Sequence, residues 1–189
     1  MFRSVLVFIF FINGFSQKAF ETLSFEIAIN SKSFSTEFNN YYKQNNGISF
    51  RVLTPYYYGD FYAGVKQIKF TTKVIDDTFN PTDFNALFIY IAWQIPLIDL
   101  DKFRTNIGLQ LGSFEMEFTR ENRWYYASES ELSTAVELNL LVEIMPEVKV
   151  TLASEHQYVY TYKRIKIHTI NVGLSYQFEM PPWLKDFLQ

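Results

Sequence analysis

Residues 171–178 alternate without a break. Asn171, Gly173, Ser175 and Gln177 share one parity; Val172, Leu174, Tyr176 and Phe178 share the other. Successive side chains of a β-strand point to opposite faces, so this segment reads as a strand with one wet face and one apolar face. The pattern recurs along the chain in about eight segments of roughly ten residues. They fall near 21–30, 48–55, 61–73, 85–95, 102–114, 132–143, 148–160 and 165–178. In the fourth, Leu87, Ile89, Ile91 and Trp93 align. In the fifth, Ile107, Leu109 and Leu111 oppose Asn106, Gly108, Gln110 and Gly112. In the third, the apolar parity shifts between Val65 and Ile68, which predicts a bulge there. A period of two sustained this far leaves an all-β, antiparallel architecture.

The connections alternate too. Residues 56–60, 96–101 and 145–147 read as short turns; 31–47, 74–84 and 115–131 read as longer polar loops. The last hairpin, at 161–163, reads as tight. Ten residues is the length a tilted strand needs to cross a bilayer, and short turns at one end with long loops at the other suit a membrane barrel.

A soluble barrel also has one apolar face, so composition must decide between the two. The polar parity of the fifth and eighth segments is Asn, Gln, Gly and Ser, small groups suited to a narrow lumen. The apolar parity is flanked by aromatics: Tyr56, Tyr57, Tyr58 and Phe61; Trp124, Tyr125 and Tyr126; Tyr158, Tyr160 and Tyr162. Tyrosine and tryptophan favour a bilayer interface, where ring and polar tip meet different solvents. The chain holds 20 Phe, 13 Tyr and 3 Trp in 189 residues, with 48% hydrophobic residues. Mean hydropathy near zero (−0.06) argues against helical spans, and the aromatic content argues against disorder.

The beginning of the chain has its own pattern. Arg3, a short apolar run at 5–12, and small residues Gly14 and Ser16 predict a signal peptide over 1–16, cut before Gln17. The expected division is then 1–16 signal peptide, 17–178 barrel and 179–189 tail. The sequence has no cysteine, which predicts neither disulfides nor a lipid anchor on sulfur. A net charge of −3 with no basic run points away from nucleic acid. With two histidines and no cysteine, no metal site and no cofactor are expected.

The spacing polar–x–Gly–x–x–aromatic–x–aromatic, carried by Asn171, Gly173, Tyr176 and Phe178, resembles the C-terminal insertion signal of outer-membrane β-barrels. Taken with the eight two-faced segments, the chain resembles small eight-stranded outer-membrane barrels of the OmpX/OmpW-like class, the generic outer membrane protein β-barrel domain. That resemblance implies an eight-stranded antiparallel up-and-down transmembrane β-barrel with a short C-terminal amphipathic tail. It implies location in the outer membrane of a diderm bacterium, outer-membrane lipid as surroundings, and the barrel assembly machinery as a partner in folding. It further implies a structural, adhesive or complex-accessory role, and no enzymatic activity is expected. The alternatives are a narrow pore for small solutes, a lipid-modifying outer-membrane enzyme and a secreted soluble lipocalin-like barrel.

Eight strands enclose a bore just wide enough for side chains. Parity places Arg51, Lys66, Arg104 and Lys149 in it with Glu137, Glu143 and Glu155, and confined charges need partners. These seven are expected to form a salt-bridged plug. His156 and His168 are each six residues from Tyr162 and so face one another across the last hairpin. Ser154 and Glu155 lie beside them, which is the residue set a lipid hydrolase would need. Strand parity instead puts both histidines with the interfacial tyrosines. The acidic residues of 115–131 lack the Asp/Asn–Gly spacing of a calcium loop and read as solvated surface. Residues 31–47, rich in Asn, Ser and Tyr, have the composition of a recognition loop.

The tail continues past Phe178. Pro182 can open a helix that places Trp183, Leu184, Phe187 and Leu188 along one side. This predicts an amphipathic anchor on the bilayer or a peg for a periplasmic or membrane protein partner.

Overall fold

The computed structural model describes residues 19–32, 37–73, 82–119, 128–162 and 164–188. The expected leader, the aromatics 124–126 and the tip of the last hairpin at Lys163 lie outside the described residues. The strands are β1 (Thr22–Lys32), β2 (Tyr42–Gln44), β3 (Gly47–Tyr56), β4 (Gly59–Thr72), β5 (Phe84–Leu100), β6 (Phe103–Phe118), β7 (Ser128–Met145), β8 (Val148–Val159) and β9 (Ile165–Glu179). Two short helices accompany them, α1 (Phe38–Tyr41) and α2 (Pro182–Leu188).

β2 and β3 share one stave. Gln44 pairs with Phe70 and Ile48 with Gln67, so residues 45–47 stand against 68–69 and one extra residue makes a bulge. Eight staves therefore form a single antiparallel sheet. β1 pairs with β9 from Thr22–Glu179 to Lys32–Thr169, and the ring closes with no free edge. Three turns lie at one end, between β3 and β4, β5 and β6, and β7 and β8. The first and last strands begin and end there, and the longer connections lie at the other end.

Two expected connections are shorter than the sequence pattern suggests. Residues 96–101 are not a short turn: β5 runs on to Leu100 and only Asp101 and Lys102 turn. Pro96 is accommodated by a bulge between Pro96 and Ile98, because proline cannot donate to the ladder. Likewise Glu115–Phe118 and Ser128–Glu131, read as loop, continue β6 and β7.

β4 departs from expectation in another way. Its backbone parity does not switch. Asp60, Tyr62, Lys66, Ile68 and Phe70 are all buried, and Phe61, Ala63, Val65, Gln67 and Lys69 are all exposed. What changes is chemistry. Below residue 66 the outward side is apolar and the inward side polar; above it, Gln67 and Lys69 face out while Ile68 and Phe70 face in. Neighbouring staves change at the same height. On β5, Ile89 and Ile91 give way to exposed Asn85, while Phe84 and Ala86 turn inward. On β6, Leu109 and Leu111 give way to Ser113, Glu115 and Glu117. The outer wall is thus an apolar band with a polar collar at the loop end, and the lumen is its negative.

The band is continuous around the ring. Ile29 is 60% exposed and Leu109 67% exposed. Its short-turn rim carries Tyr56, Tyr57, Tyr58, Phe61, Trp93 and Phe103. Phe178 stacks on Phe25 at 5.4 Å and Phe25 on Phe50 at 5.8 Å, so the last strand joins the girdle through its terminal aromatic.

Lumen glycines make room for large neighbours. A Cβ on Gly64 would lie 2.7 Å from the Tyr90 hydroxyl and 3.0 Å from Arg51 Cβ; one on Gly108 would lie 3.1 Å from the Tyr62 hydroxyl. Gly64→Ala should destabilise the barrel by about 1–3 kcal/mol in urea unfolding. Gly64→Ala with Tyr90→Ala should cost less than the sum of the two, since the clash has gone. Strictly additive losses would contradict this packing.

Candidate functional site: a three-layer lumen

The lumen is stratified. At mid-height the barrel walls supply five buried charges. Arg51 of β3 donates to Glu137 Oε1 of β7 at 2.6 Å and to Glu26 Oε2 of β1 at 3.0 Å. Lys66 of β4 pairs with Glu155 of β8 and reaches Gln157 Oε1 at 3.2 Å. Gln110 of β6 ties the two pairs together: its Nε2 lies 3.2 Å from Glu137 Oε2 and 3.5 Å from Glu155 Oε2. Strand alternation aims every one of these side chains inward. A bore this narrow then brings residues from opposite walls into contact.

Two tyrosines fill the space between the ions. Tyr62 and Tyr90 meet edge to face at 6.0 Å, Arg51 lies 5.1 Å from the Tyr62 ring centre, and Phe88 stacks on Tyr90 at 4.7 Å. Lys66 Nζ lies 5.3 Å from the Phe88 ring centre. Phe88 thus separates the ionic layer from the one above it.

The loop-end layer is apolar. Ile68, Phe70, Phe84, Phe88, Phe114, Met116, Val159 and Ile167 form one buried cluster. Phe70 and Phe84 stack at 4.8 Å, and Phe38 of α1 caps them at 5.3 Å and 6.2 Å. Tyr42 completes the cap, 4.8 Å from Phe38.

The short-turn layer is open. A cavity of about 570 Å³ is lined by Asp60, Gln94, Asp99, Arg104, Glu143 and Lys149 among others. Arg104 faces Asp60 at 3.3 Å and Asp99 at 3.8 Å, and Lys149 donates to Gln177 at 2.8 Å. Between this vestibule and the ionic layer lie Asn106 and Asn139, cross-strand neighbours that are fully buried. Neither side-chain amide has a protein partner among the described residues, which is the setting of internal water.

The seven charges read from sequence therefore do not form one network. Arg51, Lys66, Glu137 and Glu155 meet at mid-lumen; Arg104, Glu143 and Lys149 line the vestibule. Glu26, Asp60, Tyr62, Tyr90 and Gln110 belong to the site as well. The parity rule that turned Arg51 inward turns Glu26 inward too, and the facing glycines at 64 and 108 were the available signal for the tyrosines.

Asn171, also inward, accepts from Asn30 Nδ2 at 2.8 Å. Gly173 faces the lumen beside Ala28, and Tyr176 faces outward, its hydroxyl 3.0 Å from Glu147. His156 and His168 pair across β8 and β9 on the outer wall, with Ser154 Oγ 3.4 Å from His168 Nε2. Glu155 points to the opposite face, so the Ser–His–acid set is not assembled by these residues. In the tail, α2 exposes Trp183 (72%) and Phe187 (81%), as does Leu188 to a lesser degree, while Leu184 is half-buried.

This architecture has known counterparts. Neisserial surface protein A has a TM-score of 0.56 at 13% identity, over 86% of this chain and 100% of that one. The N-terminal β-barrel domain of Pseudomonas aeruginosa OprF gives 0.53 at 7% identity, over 85% and 100%. The Yersinia pestis outer membrane protein Ail, in a phospholipid bilayer nanodisc, gives 0.53 at 14% identity, over 84% and 99%. No family model and no curated protein matches the sequence. The chain has the fold of small eight-stranded outer-membrane barrels.

Removing one member of the mid-lumen cluster should be costly. Arg51→Ala leaves Glu26 and Glu137 buried without their cation and is expected to cost about 3–5 kcal/mol in urea unfolding from lipid vesicles. Arg104→Ala, at the short-turn end where Asp60 keeps the Gln94 amide as a donor, should cost less, about 1–2 kcal/mol. Equal losses would contradict the two-cluster assignment.

Proposed function

We propose that this chain is an outer-membrane barrel with a sealed lumen, acting as a structural, adhesive or complex-accessory element rather than as a pore or an enzyme. The observation that carries the reading is the filling of the loop-end half by stacked Phe70, Phe84, Phe88 and Phe114 beneath Phe38. An aromatic plug above a salt-bridged layer is the packing expected of a closed bore. The apolar band, with its aromatic girdle at the short-turn rim, supports residence in a bilayer, because such a surface on a soluble monomer would drive association. The short-turn end, which carries both described chain ends, faces the periplasm in this reading. The barrel assembly machinery folds the chain, and α2 with Trp183 and Phe187 rests on the inner leaflet or meets a periplasmic partner.

The pore reading draws on one specific feature, the polar vestibule at the short-turn end, with the unpartnered amides of Asn106 and Asn139 buried beyond it. Planar-bilayer recording separates the two. The sealed barrel is expected to show no discrete conductance steps, whereas resolved openings would overturn it. Before that, the protein should fractionate with outer membranes and migrate faster on gels when unheated; recovery as a soluble, heat-insensitive species would point to a secreted barrel.

A further inference from the structure

The outer wall of β8 and β9 carries a polar cluster that the sealed-lumen reading leaves unused. His156 and His168 are direct cross-strand partners with ring centres 5.6 Å apart. Ser154 Oγ lies 3.4 Å from His168 Nε2. Two residues further toward the loop end, Tyr158 packs edge-on against His156 at 4.7 Å. Lys166, paired with Tyr158 across the strands, places its Nζ 5.8 Å from that ring centre. All five side chains have outward parity; the first four are half-buried and Lys166 is exposed.

Their position is as telling as their chemistry. Immediately toward the short-turn end, the same two strands present Leu152, Ile170, Val172 and Leu174. The cluster therefore stands where the wall changes from apolar to polar, the height at which a bilayer places its headgroups. Hydroxyls, imidazoles and an ammonium are all able to donate to an anion. Among the described residues, no carboxylate side chain shares this outward face. Glu155 points inward to Lys66, and the outward neighbours on the flanking strands are Thr134 and Val136 of β7 and Ser31 of β1.

We propose that Ser154, His156, Tyr158, Lys166 and His168 form a binding site for the phosphate of an anionic lipid headgroup, with its acyl chains along Leu152, Ile170 and Val172. Lys166 supplies the fixed charge and the imidazoles and hydroxyls supply directed donors, while the apolar strip below selects a lipid over free phosphate. The site rests on the membrane reading above.

The test uses the full barrel folded into phosphatidylcholine nanodiscs containing a minor fraction of phosphatidate, with retained lipid counted by native mass spectrometry. Wild type is expected to keep phosphatidate in preference to phosphatidylcholine. Lys166→Glu, and separately His156→Gln with His168→Gln, should each lower that retention about three- to tenfold, while heat-modifiable migration is unchanged. Lys69→Glu, on the exposed face of β4, should leave it unaltered. Unchanged retention in both site variants, equal retention of phosphatidylcholine, or displacement by inorganic phosphate at lipid-like concentrations would each overturn the site. Failure of the wild-type barrel to insert would overturn the membrane reading itself; insertion without selectivity overturns only the lipid site.

Discussion

Pairing of β1 with β9 closes the sheet on itself. In hydrocarbon an unpaired backbone N–H or C=O costs several kcal/mol, so a sheet immersed there can have no edge. Closing on eight staves fixes the bore, and a bore that narrow is a core to be filled, not a channel left over. Most other features follow from that fit. Glycines at 64 and 108 leave room for Tyr90 and Tyr62. Arg51 has Glu26 beside it on the adjacent stave, and meets Glu137 because the opposite walls are close enough to touch.

The same closure explains the layered lumen. A wall that is apolar outside must turn its polar residues inward, so the segment within the band carries a polar interior. Where the wall rises past the band, the outside can be wet again, and the interior reverts to the apolar packing of a soluble barrel. Val65 and Gln67 mark this boundary on the outside of β4; Lys66 and Ile68 mark it on the inside. The ionic layer is costly to bury and is compensated by close pairing. The aromatic layer needs no such compensation.

Much of this was legible in the sequence, and the failures are instructive. Strict alternation identified every stave, because a period of two is imposed by the backbone whatever the solvent. It could not tell a change of surroundings from a change of backbone. The shift of apolar residues from Val65 to Ile68 resembles a bulge on paper, yet it is a change from an apolar to a polar exterior along a strand of constant parity. Pro96 looked like a turn because proline usually ends strands, and only the pairing of Pro96 with Asn106 shows the strand passing through it. Cross-lumen partners such as Arg51 with Glu137, or Lys66 with Glu155, depend on tilt and register around the ring, which no local pattern encodes. The histidine pair was legible, since a tight hairpin fixes its own register.

The chemical boundary of the wall lies partway along β4, a strand of constant parity. The chain has no cysteine, so single cysteines report position without background. Cysteines placed singly at Ala63, Val65, Gln67 and Lys69 all sit on the outward face of β4. In lipid vesicles, the first two should resist a membrane-impermeant maleimide and be quenched by brominated lipid when labelled before folding, and Lys69→Cys should label freely, with Gln67→Cys between them. Equal labelling at all four positions, or protection that alternates with sequence instead of ending past Val65, would contradict that boundary.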